Sequence, residues 1–117
     1  MMQKKIALFA FQGEAMCFVH VLLNALDLQA RGAEVKLIIE GSATKLIKTL
    51  AEPDAPFADL YANVKAANLI DAVCHACAAK MGTLADAQAQ NLPLSKEMAG
   101  HPSMGRYIEA GYEILTF

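Results

Sequence analysis

Apolar and polar positions fall in blocks along this chain. Short apolar runs at residues 4–11, 35–40 and 69–73 are each followed by a turn signal and then a helix-competent stretch. Strands buried on both faces read as continuous apolar runs, and strands alternating with helices argue for a parallel sheet covered on both sides. The pattern therefore predicts an α/β fold, a three-layer α/β/α sandwich whose mainly parallel sheet has about five strands. No internal repeat or linker interrupts residues 1–117, which read as a single domain.

The individual elements follow from local signals. After the first strand, Gly13 opens a turn, Glu14 places an acid at a helix N-terminus, and the helix runs to Arg31 with Gly32 as its C′ residue. Ser42 is placed to cap a helix over residues 42–52. Pro56 is suited to start the next helix, in which Phe57, Leu60, Tyr61 and Val64 share one face. A helix follows Cys74 as far as Gly82, and Thr83 can cap another that ends near Gln90. The run Leu92, Pro93, Leu94 suits a brief edge strand, because proline is excluded from central ladders. Gly100 and Pro102 break any periodicity over residues 95–104. A last helix ends near Gly111, and residues 112–117 form a closing strand.

The first helix is apolar almost all round, with one polar stripe of Cys17, His20, Asn24, Asp27 and Arg31. Such a helix needs partners on two sides, the sheet and, as the candidate for the other, a neighbouring protomer. Composition points the same way. Hydrophobic residues are 56% of the 117 and charged ones 19%, an apolar balance that favours cover by another subunit. A net charge of −2, with ten scattered basic residues, argues against a nucleic-acid partner. No apolar stretch reaches membrane-spanning length, and the run after Lys4 and Lys5 is too short for a signal peptide. Three cysteines, an odd number, suit a reducing cytoplasm better than a secreted disulfide scaffold.

The chemistry concentrates at Cys74, at the junction of the third strand and the following helix. Open α/β sheets carry their sites at the carboxyl ends of strands. Backbone N–H groups there favour an anion, so the position can favour a thiolate. The plain alternative is a small buried hydrophobe, since free cysteine is among the most buried residue types. Cys77 completes a C-x-x-C pair, which suits a redox dithiol, half of a zinc site, or coincidence in an alanine-rich helix. Zinc needs two further ligands, and His75, His20 and His101 stand at no diagnostic spacing, so no metal and no cofactor is expected. Auxiliary candidates are His75, which could tune the thiol, Cys17 as a second thiol, and His101 in a loop over the site. Each has a bland reading as an ordinary surface or packing residue. Gly41 and Ser42 could hold an anion at a helix start, and Glu40 is either a general base or an ordinary strand terminus.

These residues resemble the DsrE/DsrF-like proteins, which include TusD-type sulfur-relay subunits and YchN-type proteins. The resemblance spans nearly the whole chain. It rests on the opening strand with its long apolar helix, the run from Val35 to Gly41, Val73 and Cys74 with Gly82 eight residues beyond the cysteine, and the ending Gly111 to Phe117. It implies a Rossmann-like fold and homo-oligomers, whether dimers, trimers or hexamers. In sulfur-relay members a cysteine at the position of Cys74 accepts a persulfide from a donor protein and passes it to an acceptor. Only Cys74 carries over in this way; Cys77, Cys17 and the histidines match no general family motif. The expected function is sulfur transfer on Cys74. The alternatives are a non-catalytic binding or assembly module and a Cys74/Cys77 dithiol protein.

Overall fold

Five strands form one all-parallel sheet in the order β4-β3-β2-β1-β5, in a computed structural model that describes residues 2–117. The strands are β1 (Lys5–Ala10), β2 (Glu34–Ile39), β3 (Ile70–Cys74), β4 (Leu94–Ser95) and β5 (Glu113–Thr116). Six helices connect them: α1 (Ala15–Ala30), α2 (Leu46–Leu50), α3 (Ala58–Ala66), α4 (His75–Met81), α5 (Leu84–Ala89) and α6 (Met104–Glu109). The expected α/β sandwich is thus the observed fold.

Crossover handedness explains how the layers fill. Successive crossovers from β1 to β4 move in one direction across the sheet, and right-handed connections keep their helices on one face. The crossover from β4 to β5 returns the whole width of the sheet, so α6 lies on the other. The two cores are accordingly unequal. On the first face Leu8, Phe18, Leu22, Leu37, Ile39, Ile47, Tyr61 and Val73 form a large apolar core. On the second, Ala7, Phe9, Ile38 and Ala72 pack against Tyr107 and Tyr112. Phe9 and Tyr107 meet edge to face with centroids 5.6 Å apart.

The second face is closed by polar ties as well as apolar contact. The register of β2 against β3 shifts between Leu37 and Ile38, leaving Asp71 as the extra residue. Asp71 accepts a hydrogen bond from the Tyr107 hydroxyl at 2.6 Å and lies 3.5 Å from Lys36 Nζ. Tyr112 hydrogen-bonds the Glu34 carboxylate, and its ring carries Lys5 Nζ at 4.8 Å from the centroid.

Several local expectations are corrected. The segment after β2 is a 3-10 turn over Gly41–Lys45 followed by the short α2, and the Ser42 hydroxyl donates to the Phe11 carbonyl at 3.1 Å instead of capping. That uses the hydroxyl to join two loops. Pro56 does not start α3. Phe57 precedes the helix in a left-handed conformation (φ 68°) and is 40% exposed, while Tyr61 and Val64 keep the buried face. Thr83 sits at the N-cap position of α5, but its hydroxyl donates to the Thr44 carbonyl at 2.9 Å. The edge strand begins one residue past Pro93, whose carbonyl accepts the Val73 N–H at 2.7 Å.

The long apolar helix α1 buries Phe18, Val19, Val21, Leu22 and Ala25. Its outer side exposes Met16 (68%) and Leu23 (46%) beside the expected polar residues. No described helix is long and apolar enough to cross a membrane.

Candidate functional site

The carboxyl end of β3 carries Cys74, and the backbone turns directly from the strand into α4 with Cys74 as N-cap. The Cys77 N–H donates to Cys74 Sγ at 3.4 Å, so the thiol itself serves as the cap. Helix α4 ends at Gly82 in the left-handed conformation (φ 76°), where Thr83 N–H bonds the Ala78 carbonyl at 2.8 Å. The Cys74-to-Gly82 interval is therefore one short helix with its start and stop.

Over this junction lies the loop of residues 96–103. Met98 and His101 exchange backbone hydrogen bonds at 2.8 and 3.0 Å across a tight turn whose central residues, Ala99 and Gly100, have φ of 49° and 98°. Positive φ at both central positions defines a primed turn, and an alanine in one of them stores strain of about 1 kcal/mol or more. The turn is fixed to α4, because the Gly100 carbonyl accepts the Ala76 N–H at 3.0 Å. A Cβ on Gly100 would stand 3.0 Å from Ala76 Cβ, so glycine also permits the close approach. At its far end Glu97 accepts from the Ser103 N–H at 3.3 Å and pairs with Arg106 at 3.1 Å.

This architecture delivers His101 to the cysteines. His101 Nδ1 lies 3.0 Å from Cys74 Sγ and 3.7 Å from Cys77 Sγ. The Cys74 thiol also faces the Gly100 carbonyl, an acceptor, at 3.6 Å. The structure thus brings together Cys74, Cys77 and His101 of the residues picked from the sequence. Cys17 is exposed on α1 and lies outside this cluster, as does His75, half-buried at the start of α4.

Electrostatics corrects the expectation of a stabilised thiolate. Cys74 is fully buried, and its pKa is pushed up to about 12. Burial is the largest cause, followed by the side-chain hydrogen bond with Cys77, and the charges of Cys77 and Glu40 add to it. The backbone N–H of Cys77 works in the opposite direction but does not win. At rest Cys74 is therefore a thiol, and ionising it needs a base in contact. Glu40, only 7% exposed, belongs to the same environment. Burial raises its pKa, and the neighbouring His101 charge partly opposes that. From the sequence Glu40 reads as an ordinary polar strand end more than as a base; what makes it part of the site is its nearness to His101 and Cys74.

MJ0733, an uncharacterised protein of Methanocaldococcus jannaschii, is 33% identical over 97 residues that span 83% of this chain and 77% of MJ0733. The chain belongs to the MJ0733 family. An uncharacterised protein of Archaeoglobus fulgidus is 48% identical over 52 residues, which cover 44% of this chain and 85% of that relative. No protein-family model matches the chain. Among solved structures, BT1422 from Bacteroides thetaiotaomicron, a conserved protein of unknown function, superposes with a TM-score of 0.69 at 16% identity, covering 97% of this chain and 95% of that one. At that identity the likeness shows the fold alone. In this member of the MJ0733 family the reactive groups gather at the Cys74–His101 contact.

Proposed function

We propose that the protein handles sulfane sulfur, loading Cys74 with a persulfide taken from a donor and passing it to an acceptor. The observation that carries this is the 3.0 Å contact between Cys74 Sγ and His101 Nδ1. A nucleophile and base within hydrogen-bond reach are the minimum for activating a thiol that does not ionise on its own. In the loading step Cys74 Sγ attacks the terminal sulfur of a donor persulfide while its proton passes to His101. The donor sulfur–sulfur bond breaks, and the leaving thiolate takes the proton, giving Cys74–S–SH and a donor thiol. The resemblance to sulfur-relay proteins at Val73, Cys74 and Gly82 supports the same reading.

Cys77 gives the site a second course. Its sulfur can attack the inner sulfur of the Cys74 persulfide, forming a Cys74–Cys77 disulfide and releasing the outer sulfur as hydrosulfide. A separate dithiol would then reduce the disulfide. The proximity of both sulfurs to His101 Nδ1 favours this dithiol reading as the alternative. Full burial of Cys74 favours a third, in which the residue merely packs in a binding or assembly module.

One experiment separates them. Reduced, chelator-treated protein is incubated with a small-molecule persulfide and mapped by mass spectrometry. We expect one added sulfur on Cys74 in the wild type, none in Cys74→Ser, and a longer-lived adduct in Cys77→Ser. Undiminished loading of Cys74→Ser would contradict the proposal. A native Cys74 that resists both the persulfide and iodoacetamide, while Cys17 and Cys77 react, would establish the packing reading. A reducing cytoplasm is the compartment that suits the chemistry, and a second copy of this chain is the partner that the exposed Met16 and Leu23 of α1 suit.

A further inference from the structure

We propose that Cys74, Cys77 and His101 form a three-ligand site for a thiophilic cation of the zinc class, with its fourth coordination position open. The inference does not rest on persulfide chemistry. It starts from the donor set: two cysteine sulfurs and one imidazole nitrogen, all within 4.8 Å of one another. Soft sulfur with borderline imidazole selects zinc and its relatives over magnesium or calcium, which take oxygen.

The distances fit a cation. Tetrahedral zinc bonds sulfur at about 2.3 Å and imidazole nitrogen at about 2.0–2.1 Å, which sets nitrogen and sulfur about 3.5 Å apart and two sulfurs about 3.8 Å apart. His101 Nδ1 stands 3.0 and 3.7 Å from the two sulfurs, which lie within 4.8 Å of each other, so shifts of about 0.5 Å at the nitrogen and up to about 1 Å between the sulfurs admit the ion. The three donors converge on one point from two independent pieces of backbone. Cys74 and Cys77 occupy the N-cap and first turn of α4, and His101 is held by the strained turn that bonds to Ala76.

The surroundings suit a bound cation as well. The Cys77 N–H already points at Cys74 Sγ, the kind of contact that steadies a metal thiolate. The buried Glu40 carboxyl lies beside His101 and Cys74 without being a fourth ligand of the cluster. Binding replaces the two thiol protons with the ion and releases them to solvent, so charge and atoms balance. The open fourth position separates this site from closed four-ligand structural zinc centres and leaves room for water or an exchangeable ligand.

The test uses the full chain, reduced and stripped with a chelator, titrated with Zn2+ against a chromophoric chelator and separately with Co2+. We expect one Zn2+ per chain in the wild type and in Cys17→Ser. Affinity should fall at least about tenfold in Cys77→Ser and in His101→Ala. The Co2+ form should show sulfur-to-cobalt charge transfer with tetrahedral d–d bands. A wild type that holds no Zn2+ against the chelator, or binding unchanged in His101→Ala, would overturn the site. Persulfide loading is measured with chelator present, so the two ideas fail separately.

Discussion

Cys74 is a thiol whose environment resists ionisation, and that has a measurable consequence for stability. In the unfolded chain a cysteine ionises near its ordinary value of about 8.5. In the fold burial holds the Cys74 proton until about 12. A folded pKa above the unfolded one contributes stability that is present in full below the unfolded value and is lost as pH rises toward the folded one. Between those limits the unfolded state releases the proton and the native state does not. We expect the denaturation midpoint to fall across that alkaline window, and to fall less steeply in Cys74→Ala, as followed by circular dichroism in urea. An identical slope in both proteins would show that the thiol titrates alike in the folded and unfolded states. The position of Cys74 at a strand-to-helix junction is legible in the sequence, because the run over residues 69–73 and the stop at Gly82 bracket it. Its electrostatic state is not. Local N–H groups argue for a thiolate, and burial in the fold, with Cys77 and Glu40 beside the thiol, reverses the sign.

At the scale of elements, the turn of loop 96–103 decides whether a site exists. Glycine at position 100 meets two demands, a φ of 98° and an approach so close that a Cβ there would stand 3.0 Å from Ala76 Cβ. Gly100→Ala should therefore destabilise the protein by about 1–3 kcal/mol in urea denaturation. It should also slow sulfur loading, because the Gly100 carbonyl positions His101 over the cysteines through Ala76. Full loading in a variant that has lost this stability would separate the turn from the chemistry. The strands and the two longest helices follow from apolar runs and helical spacing, since those patterns are set locally. Loop 96–103 does not, because Gly100 and Pro102 erase periodicity and its shape comes from tertiary bonds to Ala76 and Arg106. For the same reason His101 is only an auxiliary candidate in the sequence, a loop histidine whose spacing does not tie it to Cys74. Ser42 and Thr83 look like helix caps, yet each gives its hydroxyl to a carbonyl of another segment.

Over the whole molecule the sheet has one heavily covered face and one covered by α6 with a rim of tyrosines, lysines and acids. The long apolar α1 lies on the covered side, and its outer stripe of Met16, His20 and Leu23 faces outward. Residues four and three apart share a helix face, so Met16 and Leu23 flank His20 in one exposed patch. Self-association through that patch predicts a homo-oligomer in sedimentation velocity and a shift toward monomer in Leu23→Glu; a monomeric wild type would exclude it. The central claim is nonetheless local, that His101 activates Cys74. It is tested most directly by the rate of persulfide loading on Cys74 in wild type and His101→Ala, both chelator-treated and both shown to be folded. Loss of a general base in contact with the nucleophile predicts a rate lower by about a hundredfold or more in the variant. Equal rates in the two proteins would contradict the account.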